Sequence, residues 1–361
     1  MSFVLGIAGT AKNTGKTTTT AAILRALYDK NISIGLTSIG YDGEEIDNIT
    51  GLPKPRFLLK TGLIVAIAET CIKVSKAKFK IIKSTNIMTP LGRILIAKVI
   101  EGGMVVIAGP NKSIELKTVL DFLKQKLGCE LIIVDGALNR IAPMKETDAI
   151  ILATGAARNT NIDALAYETK AICKLFNINE ANSREKNLVL NHDKITIISQ
   201  NIREPFTLKY SSLLDETTVI QILSKIDDAK IIYIPGMIPH TMFRKLNNMV
   251  KNHWQNKSLL IGDVFKLLAG GEALEIIKQI NAVYRNNGDV KVTKKISLLA
   301  VTVNPFYPLF RFDKNKYEEG FVNSHVLLKK MKACIEIPVI DVKNQGPSVI
   351  TDILYRKIKD N

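Results

Sequence analysis

The chain has 361 residues, of which 46% are hydrophobic and 6% are aromatic. This composition excludes an intrinsically disordered protein, and the length suits two domains of ordinary size. The net charge of +16 is compatible with an acidic partner, a nucleic acid or a membrane surface. The lysines are nevertheless spread along the chain without a basic stripe interleaved with aromatic residues, so nucleic acid binding is not indicated.

The cysteines and the N-terminal segment predict the cellular compartment of the protein. Four cysteines lie far apart and form no CxxC pair, namely Cys71, Cys129, Cys173 and Cys334. This spacing predicts neither a disulfide framework nor a zinc site, and it favours a reducing cytoplasm. The N-terminal run MSFVLGIAG has no basic leader, and Glu69 interrupts the apolar stretch at 63–68. Neither secretion nor a membrane span is therefore predicted.

Apolar periodicity predicts alternating strands and helices over the first 155 residues. Strands are expected at 3–7, 32–39, 104–108, 131–134 and 149–153, and helices at 16–28, 63–72, 91–100 and 114–127. Two prolines in the run GLPKPR predict that residues 41–60 form a loop. Strands that alternate with helices favour right-handed crossovers and a parallel sheet. We therefore expect an α/β domain over residues 1–178.

The texture of the sequence changes beyond Phe176, where Asn, Lys and Glu residues cluster at 177–187. Residues 194–199 alternate like an exposed strand, and further apolar runs occur at 231–234, 259–261, 297–303 and 335–340. Helical segments separate these runs. Residues 179–361 are therefore predicted to form a second α/β region, whose role the sequence does not indicate.

A glycine-rich loop follows the first predicted strand and precedes the first predicted helix. Its residues run Gly9-Thr-Ala-Lys-Asn-Thr-Gly15-Lys16-Thr17, so that five residues separate the two glycines, one more than in the usual P-loop. Backbone amides and the helix dipole at such a junction hold phosphate oxygens. We predict a variant P-loop whose nucleotide-binding residues are Gly9, Thr10, Asn13, Thr14, Gly15, Lys16, Thr17 and Thr18.

The residue types in the loop match separate roles toward a nucleoside triphosphate. Gly15 permits close approach of the backbone, and Lys16 is expected to reach the β and γ phosphates. Thr17 is expected to ligate Mg²⁺, and Thr18 to donate to the α phosphate. Lys12 would stabilise charge that develops on the transferred phosphoryl group, in its own site or in that of a partner, although an exposed lysine without a role is an equal alternative.

Acidic residues after two strands complete the predicted magnesium site. Asp135 follows the apolar run 131–134 and precedes Gly136, the position where a P-loop protein holds its metal shell. Asp42 follows the second predicted strand and is a further candidate for the metal or its waters. Three other acids, Glu44, Glu45 and Asp47, lie nearby and are as well explained by a solvated acidic turn.

Residues 1 to about 155 resemble the SIMIBI-type P-loop proteins, in the branch of dethiobiotin synthetase and cobyrinate diamide synthetase, which also includes MinD-like ATPases. The resemblance is carried by the motif Gly-Thr-x4-Gly-Lys-Thr and by Gly40-Tyr41-Asp42, which is similar to the Gly-Pro-Asp of cobyrinate synthetases. It implies a parallel sheet, ATP with Mg²⁺, and a homodimer with sites near the subunit interface.

A second resemblance involves residues 41–47 and 50–56. These segments look like the P-loop subunit of reactivating factors that accompany lysine 5,6-aminomutase. Such a factor uses ATP to exchange damaged cobalamin on its client enzyme. This resemblance implies ATP hydrolysis coupled to a conformational change on a protein client.

Two other functions remain open on the sequence. A ligase related to dethiobiotin synthetase would use the same loop to phosphorylate a carboxylate. Where that family carries threonine and Lys-Pro-Val, however, this chain has Lys12 and Ser38-Ile39-Gly40. A scaffold that binds ATP without hydrolysing it is the third alternative. A glutamine-dependent amidase is not expected, because Cys334 stands on no glycine-rich elbow.

Overall fold

The structure, a computed structural model, describes residues 2–40, 57–137, 141–199 and 205–359. The chain forms two compact units. Unit 1 comprises Met1–Ala166 together with Leu298–Asn361, and unit 2 comprises Tyr167–Ser297. Unit 2 is therefore inserted between two segments of unit 1 in chain order.

The strands of unit 1 before the insertion are β1 (Phe3–Gly9), β2 (Ile34–Ser38), β3 (Phe57–Leu59), β4 (Ile64–Ala68), β5 (Lys78–Thr89), β6 (Gly92–Glu101), β7 (Gly103–Val105), β8 (Leu131–Ala137) and β9 (Ala149–Gly155). Those of the inserted region are β10 (Asn179–Glu180), β11 (Thr196–Ser199), β12 (Phe206–Thr207), β13 (Ala229–Ile234), β14 (Ser258–Asp263) and β15 (Asp289–Lys294). The last are β16 (Ser297–Asn304), β17 (Phe306–Arg311), β18 (Lys316–Phe321) and β19 (Val339–Ile340).

The helices, also in chain order, are α1 (Lys16–Leu27), α2 (Glu69–Lys73), α3 (Ser113–Gln125), α4 (Ile141–Met144), α5 (Ile162–Phe176), α6 (Ser183–Val189), α7 (Glu216–Leu223), α8 (His240–Val250), α9 (Val264–Leu268), α10 (Ala273–Arg285), α11 (Ser324–Cys334), α12 (Val342–Gln345) and α13 (Ser348–Lys359). A 3₁₀ helix at Lys251–Trp254 follows α8. None of the helices in the described part of the chain has the length and hydropathy that crossing a bilayer requires.

A nine-stranded sheet is the frame of unit 1, with the strand order β19-β16-β9-β1-β8-β2-β4-β6-β5. Strand β1 pairs in parallel with β8 on one side and with β9 on the other. Every residue of β1 and β9 is buried, as expected for parallel strands covered on both faces. The sheet ends in an antiparallel hairpin of β5 and β6. These features confirm the predicted α/β class.

Helix α1 packs one face into the core of unit 1. Its buried side chains include Ile23, Leu24 and Leu27, which recur at the spacing of a single helical face. Full burial of aliphatic side chains of this size stabilises the fold by about 1.5–3 kcal/mol each. The predicted helix at 16–28 is confirmed, and so are the strands predicted at 3–7, 131–134 and 149–153.

Two predicted helices of unit 1 are wrong. The segment predicted as a helix at 63–72 contains β4 and the start of the short helix α2, and the segment at 91–100 is strand β6. The two strands pair antiparallel with each other, so their backbone groups are satisfied between strands. Their β-branched residues also favour a pleated strand. Most of the loop predicted at 41–60 lies outside the described residues, and its end forms β3.

Unit 2 has its own six-stranded sheet, with the strand order β10-β15-β14-β13-β11-β12. Strands β13, β14, β15 and β10 run parallel, whereas β11 and β12 pair antiparallel. Trp254, Phe243 and Phe265 are among its fully buried side chains. The second region is therefore α/β, as predicted.

The boundaries of the units differ from the predicted domains 1–178 and 179–361. The change between units falls within α5, and residues 298–361 return to unit 1. The physical reason is that β16 and β19 extend the nine-stranded sheet beside β9. A strand pairing of this kind joins segments that are far apart in sequence, which local composition does not reveal.

Candidate nucleotide and metal site

The glycine-rich loop follows the carboxyl end of β1, which is an interior strand of the large sheet. Gly9 is the last residue of β1, and α1 begins at Lys16. Neighbouring strands β8 and β9 run parallel to β1, so their carboxyl ends meet the loop at one edge of the sheet. Open α/β sheets bind ligands in the crevice outside this edge.

The loop turns into the helix through left-handed backbone conformations. Asn13 has φ +63° and Gly15 has φ +88°. Gly15 occupies the N-cap position, no side chain caps the amides of the first turn, and that turn contains no acid. The first turn of α1 therefore presents amide hydrogens and the positive end of the helix dipole, which suits an anion.

Hydrogen bonds of two threonines fix the course of the loop. Thr14, which is buried, donates from Oγ1 to the carbonyl oxygen of Ala11 at 2.9 Å. Thr10 donates its amide to the carbonyl oxygen of Ala153 and its hydroxyl to Oγ1 of Thr154, both at 2.9 Å. The start of the loop is thereby tied to the end of β9.

Thr17 and Asp135 lie side by side, as the sequence predicted. Thr17 Oγ1 donates to Asp135 Oδ2 at 3.4 Å, although 118 residues separate the two. Asp135 lies in β8 with only 4% of its surface exposed. Its position is set by strand pairing, because its register partners are Ile7 of β1 and Ser38 of β2.

This hydroxyl and carboxylate fit a magnesium ion in their chemistry. Mg²⁺ prefers oxygen ligands and is usually held by one or two carboxylates, waters and phosphate oxygens rather than by a cage of protein groups. Within the described ranges, no cluster of three or more His, Cys, Asp or Glu residues suited to a metal occurs. In a site of this kind, waters and the phosphate oxygens of a nucleotide supply the further ligands.

The two lysines of the loop differ in exposure. Lys12 is exposed, whereas Lys16 is half-buried at the start of α1. The stem of Lys16 runs back along the loop toward Gly9: a β-carbon placed on Gly9 would lie 3.2 Å from Lys16 Cδ. Thr18 is half-buried in the first turn of the same helix.

Asp42 lies outside the described residues, together with Glu44, Glu45 and Asp47. The chain immediately before Asp42 is fixed by the loop that follows β7. Gly40 donates its amide to the carbonyl oxygen of Pro110 at 3.1 Å, and Gly109 donates to Gly40 at 3.2 Å. The predicted role of Asp42 therefore stays a prediction.

Residues after the insertion also reach the loop, which sequence reasoning missed. Asn304, at the end of β16, donates from Nδ2 to the carbonyl oxygen of Asn13 at 2.9 Å. The hydroxyls of Thr302 and Thr19 are 2.8 Å apart. A narrow cleft beside Gly15 is lined by Thr14, Thr18, Asn304, Asp341 and Lys343 among others. One signal was available: the polar residue Asn304 directly follows the apolar run predicted at 297–303, as Asp135 follows the run at 131–134.

Comparisons with known proteins add little to this geometry. No protein-family model matches the sequence, and a comparison with curated proteins gave no match. Among solved structures, the chain is similar to one described as "Structure of pNOB8 ParA bound to nonspecific DNA". The similarity has 10% sequence identity and a TM-score of 0.25, and it covers 79% of this chain and 98% of that chain. A similarity at this level establishes neither a family nor a function for the chain.

Proposed function

We propose that the protein binds ATP with Mg²⁺ in the loop of residues 9–18 and hydrolyses it. The observation that carries this proposal is the contact between Thr17 and Asp135 at the head of α1. A hydroxyl on the first turn of a helix and a buried carboxylate on the adjacent strand are the two protein ligands of a P-loop magnesium site. The left-handed Gly15 directly before that turn supports the same assignment.

The residues of the loop would divide the work of binding and catalysis. Amides of the first turn of α1 hold phosphate oxygens, and Lys16 places its ammonium group on the β and γ phosphates. Thr17 and Asp135 hold the metal, and Thr18 donates to the α phosphate. Mg²⁺, when bound, neutralises the charge that develops during phosphoryl transfer. Lys12 is exposed in the loop, where it would stabilise that charge in the same or a neighbouring subunit.

The narrow cleft beside Gly15, with a volume of about 10 Å³, is too small to hold a sugar or a base. Asn304, Asp341 and Lys343 line it together with the loop. The Asp341 carboxylate caps the N-terminus of α12, and the Asn304 side chain is bonded to the backbone of Asn13 and Phe306. These two side chains therefore support the loop and α12. We assign the nucleotide as ATP, as the resemblance to SIMIBI-type proteins implies.

Hydrolysis would drive a conformational change on a protein client. Reactivation of a cobalamin-dependent aminomutase is an example of such a role. Support for a role in reactivation comes from the resemblance of residues 41–47 and 50–56 to the P-loop subunit of aminomutase-reactivating factors. A homodimer is part of the same proposal, because P-loop proteins of this type place their sites near a subunit interface. Switching by a nucleotide requires differential contacts in two states, which the γ phosphate and its metal supply.

Phosphate release from Mg-ATP by the purified chain tests this proposal. Slow turnover is expected for the wild type and for Thr17→Ser, and none for Thr17→Val, because valine keeps the shape but removes the metal-binding hydroxyl. Turnover that requires an added small carboxylic acid and an acceptor would identify a ligase. Nucleotide binding without turnover in any condition would identify a non-hydrolysing scaffold. Equal turnover in Thr17→Val and the wild type would contradict the metal assignment.

A further inference from the structure

Strand β5 forms an edge of the large sheet of unit 1. It is the last strand in the order, has 12 residues, and pairs with β6 on one side. Within the described residues, no strand pairs with its other side. A long edge of this kind presents unpaired amide and carbonyl groups that can accept another strand.

Two exposed lysines face each other across β5 and β6. Lys80 of β5 is the direct register partner of Lys98 of β6, and both are exposed. Like charges directly opposite each other destabilise an antiparallel pair. Neither ammonium group is in an ion pair with an acid elsewhere in the described part of the chain. The pair is therefore a local positive charge that an anionic partner would stabilise.

Aliphatic side chains are exposed along the same strand. Ile81 is 46% exposed, Ile82 is 40% exposed and Met88 is 62% exposed. Ile82 lies where the register between β5 and β6 shifts, so it has no cross-strand partner. Lysines and exposed aliphatic residues are thus interleaved on one edge strand.

Three kinds of partner can be compared against this edge. A second copy of the chain would bring the same lysines and a further net charge of +16, so pairing of β5 with β5 would place like charges together. A nucleic acid would use the lysines but leave the aliphatic side chains and the free backbone edge unused. An extended acidic polypeptide with aliphatic side chains would use all three features.

We propose that β5 binds an extended acidic segment of a partner protein, which adds to the sheet as a further strand. Carboxylates of that segment pair with Lys80 and Lys98, and its aliphatic side chains cover Ile81 and Ile82. Lysines on an edge strand discourage pairing with neutral or basic chains, so the same residues would select an acidic one. This interaction goes beyond the proposed ATPase and needs no nucleotide.

The test uses the full chain and a labelled peptide of alternating Glu and Val residues that matches the 12-residue length of β5. Binding is followed by fluorescence anisotropy without nucleotide. We expect the wild type to bind the peptide, and the double variant Lys80→Glu with Lys98→Glu to bind it about tenfold more weakly or worse. A matched control reverses two exposed lysines on α11 and α13, Lys329→Glu with Lys357→Glu, and should bind like the wild type.

A second pair of probes separates strand addition from simple charge attraction. A fully N-methylated peptide of the same sequence keeps its charge but loses its backbone donors, so it should not bind. A peptide of alternating Lys and Val should not bind either. The neutral double variant Lys80→Gln with Lys98→Gln, checked for folding by circular dichroism, should show an intermediate affinity.

Four results would overturn the proposal. These are no binding of the acidic peptide, unchanged binding in the charge-reversed double variant, equal binding of the N-methylated peptide, and tighter binding of short duplex DNA that the same variant abolishes. The Lys16→Ala variant should bind the peptide like the wild type. A failure of the docking surface can therefore be distinguished from a failure of the ATPase proposal.

Discussion

Asn304 donates a hydrogen bond from its side-chain amide to the main-chain carbonyl oxygen of Asn13 at 2.9 Å, across 291 residues of sequence. Asn13 has a left-handed backbone, with φ +63°, in the middle of the glycine-rich loop. The contact therefore supports the loop from β16, a strand that follows the inserted unit. Part of the candidate nucleotide site is thus held in place by the C-terminal segment of unit 1.

Removal of this contact should weaken nucleotide binding. In Asn304→Ala the loop loses one supporting hydrogen bond, which is worth about 1 kcal/mol and corresponds to roughly fivefold in affinity. Titration calorimetry with Mg-ATP measures the change. The control is Asn323→Ala, which removes the N-cap of α11 and costs about 1 kcal/mol of stability without touching the loop. Equal loss of affinity in both variants would contradict a local role of Asn304.

A second prediction concerns the backbone of Gly15. In Gly15→Ala an alanine must adopt the left-handed backbone conformation with φ +88°, at a cost of about 1–2 kcal/mol. The new methyl group would also lie 3.2 Å from Cβ of Asn304. We expect lower stability and a loss of Mg-ATP affinity.

The matched control for that variant is Gly128→Ala, at a glycine with φ +61° and open space around it. It carries similar backbone strain but lies in the turn after α3. Thermal unfolding should show a comparable decrease for both variants, whereas calorimetry should show lost affinity only for Gly15→Ala. Full nucleotide affinity in Gly15→Ala would refute the role of this residue.

The buried polar network of unit 2 gives a third prediction. Asn247 accepts a hydrogen bond from Trp254 Nε1 at 3.0 Å and donates to the carbonyl oxygen and Oε1 of Gln279 at 3.0 and 3.1 Å. In Asn247→Ala, the indole N–H of Trp254 and the two oxygens of Gln279 stay buried but lose their hydrogen bonds to Asn247. This loss should lower the free energy of unfolding by about 2–3 kcal/mol.

Trp254 is the single tryptophan of the chain and is fully buried, so its fluorescence reports on unit 2 during denaturation by urea. Asn248→Ala, at an exposed position of the same helix α8, should change the free energy by less than about 0.5 kcal/mol. If the two variants unfold at the same urea concentration, the network does not stabilise unit 2 as inferred.

The buried thiols of Cys71 and Cys129 should react more slowly than free cysteine. Burial raises the pKa of Cys129 to about 11 from 9.0, so at pH 8 the thiolate fraction falls about 100-fold. Burial also raises the pKa of Cys71. We expect both to resist iodoacetamide in the folded protein and to react once urea is added, with mass spectrometry as the readout. Rapid modification of Cys129 without urea would contradict its burial.

The parts of the site that could be predicted from sequence are those encoded locally. The loop before α1 was predictable because two glycines, Lys16 and Thr17 occur within one short run. Asp135 was predictable because an acid that follows a buried parallel strand ends up at the same edge of the sheet as the loop. Its distance from Thr17 is the consequence of the pairing between β1 and β8.

Long-range pairing explains what could not be predicted. Asn304 reaches the loop only because β16 lies beside β9 in the sheet, and nothing near residue 304 encodes that neighbour. The same pairing returns residues 298–361 to unit 1. Likewise, β4 and β6 carry apolar residues at spacings that fit a helix, and their antiparallel pairing decides in favour of strands.

Titration calorimetry with Mg-ATP on the wild type and on Lys16→Ala measures whether the loop of residues 9–18 binds a nucleotide through Lys16. The ammonium group of Lys16 is expected to form charge-assisted contacts worth about 1.5–3 kcal/mol, so its removal should weaken binding roughly 10- to 100-fold. Lys329→Ala, at an exposed lysine of α11, should bind like the wild type. We expect heat of binding for the wild type, and lost or strongly reduced heat for Lys16→Ala. Equal heats in the two proteins, or no heat for any nucleoside triphosphate with Mg²⁺, would contradict nucleotide binding through Lys16.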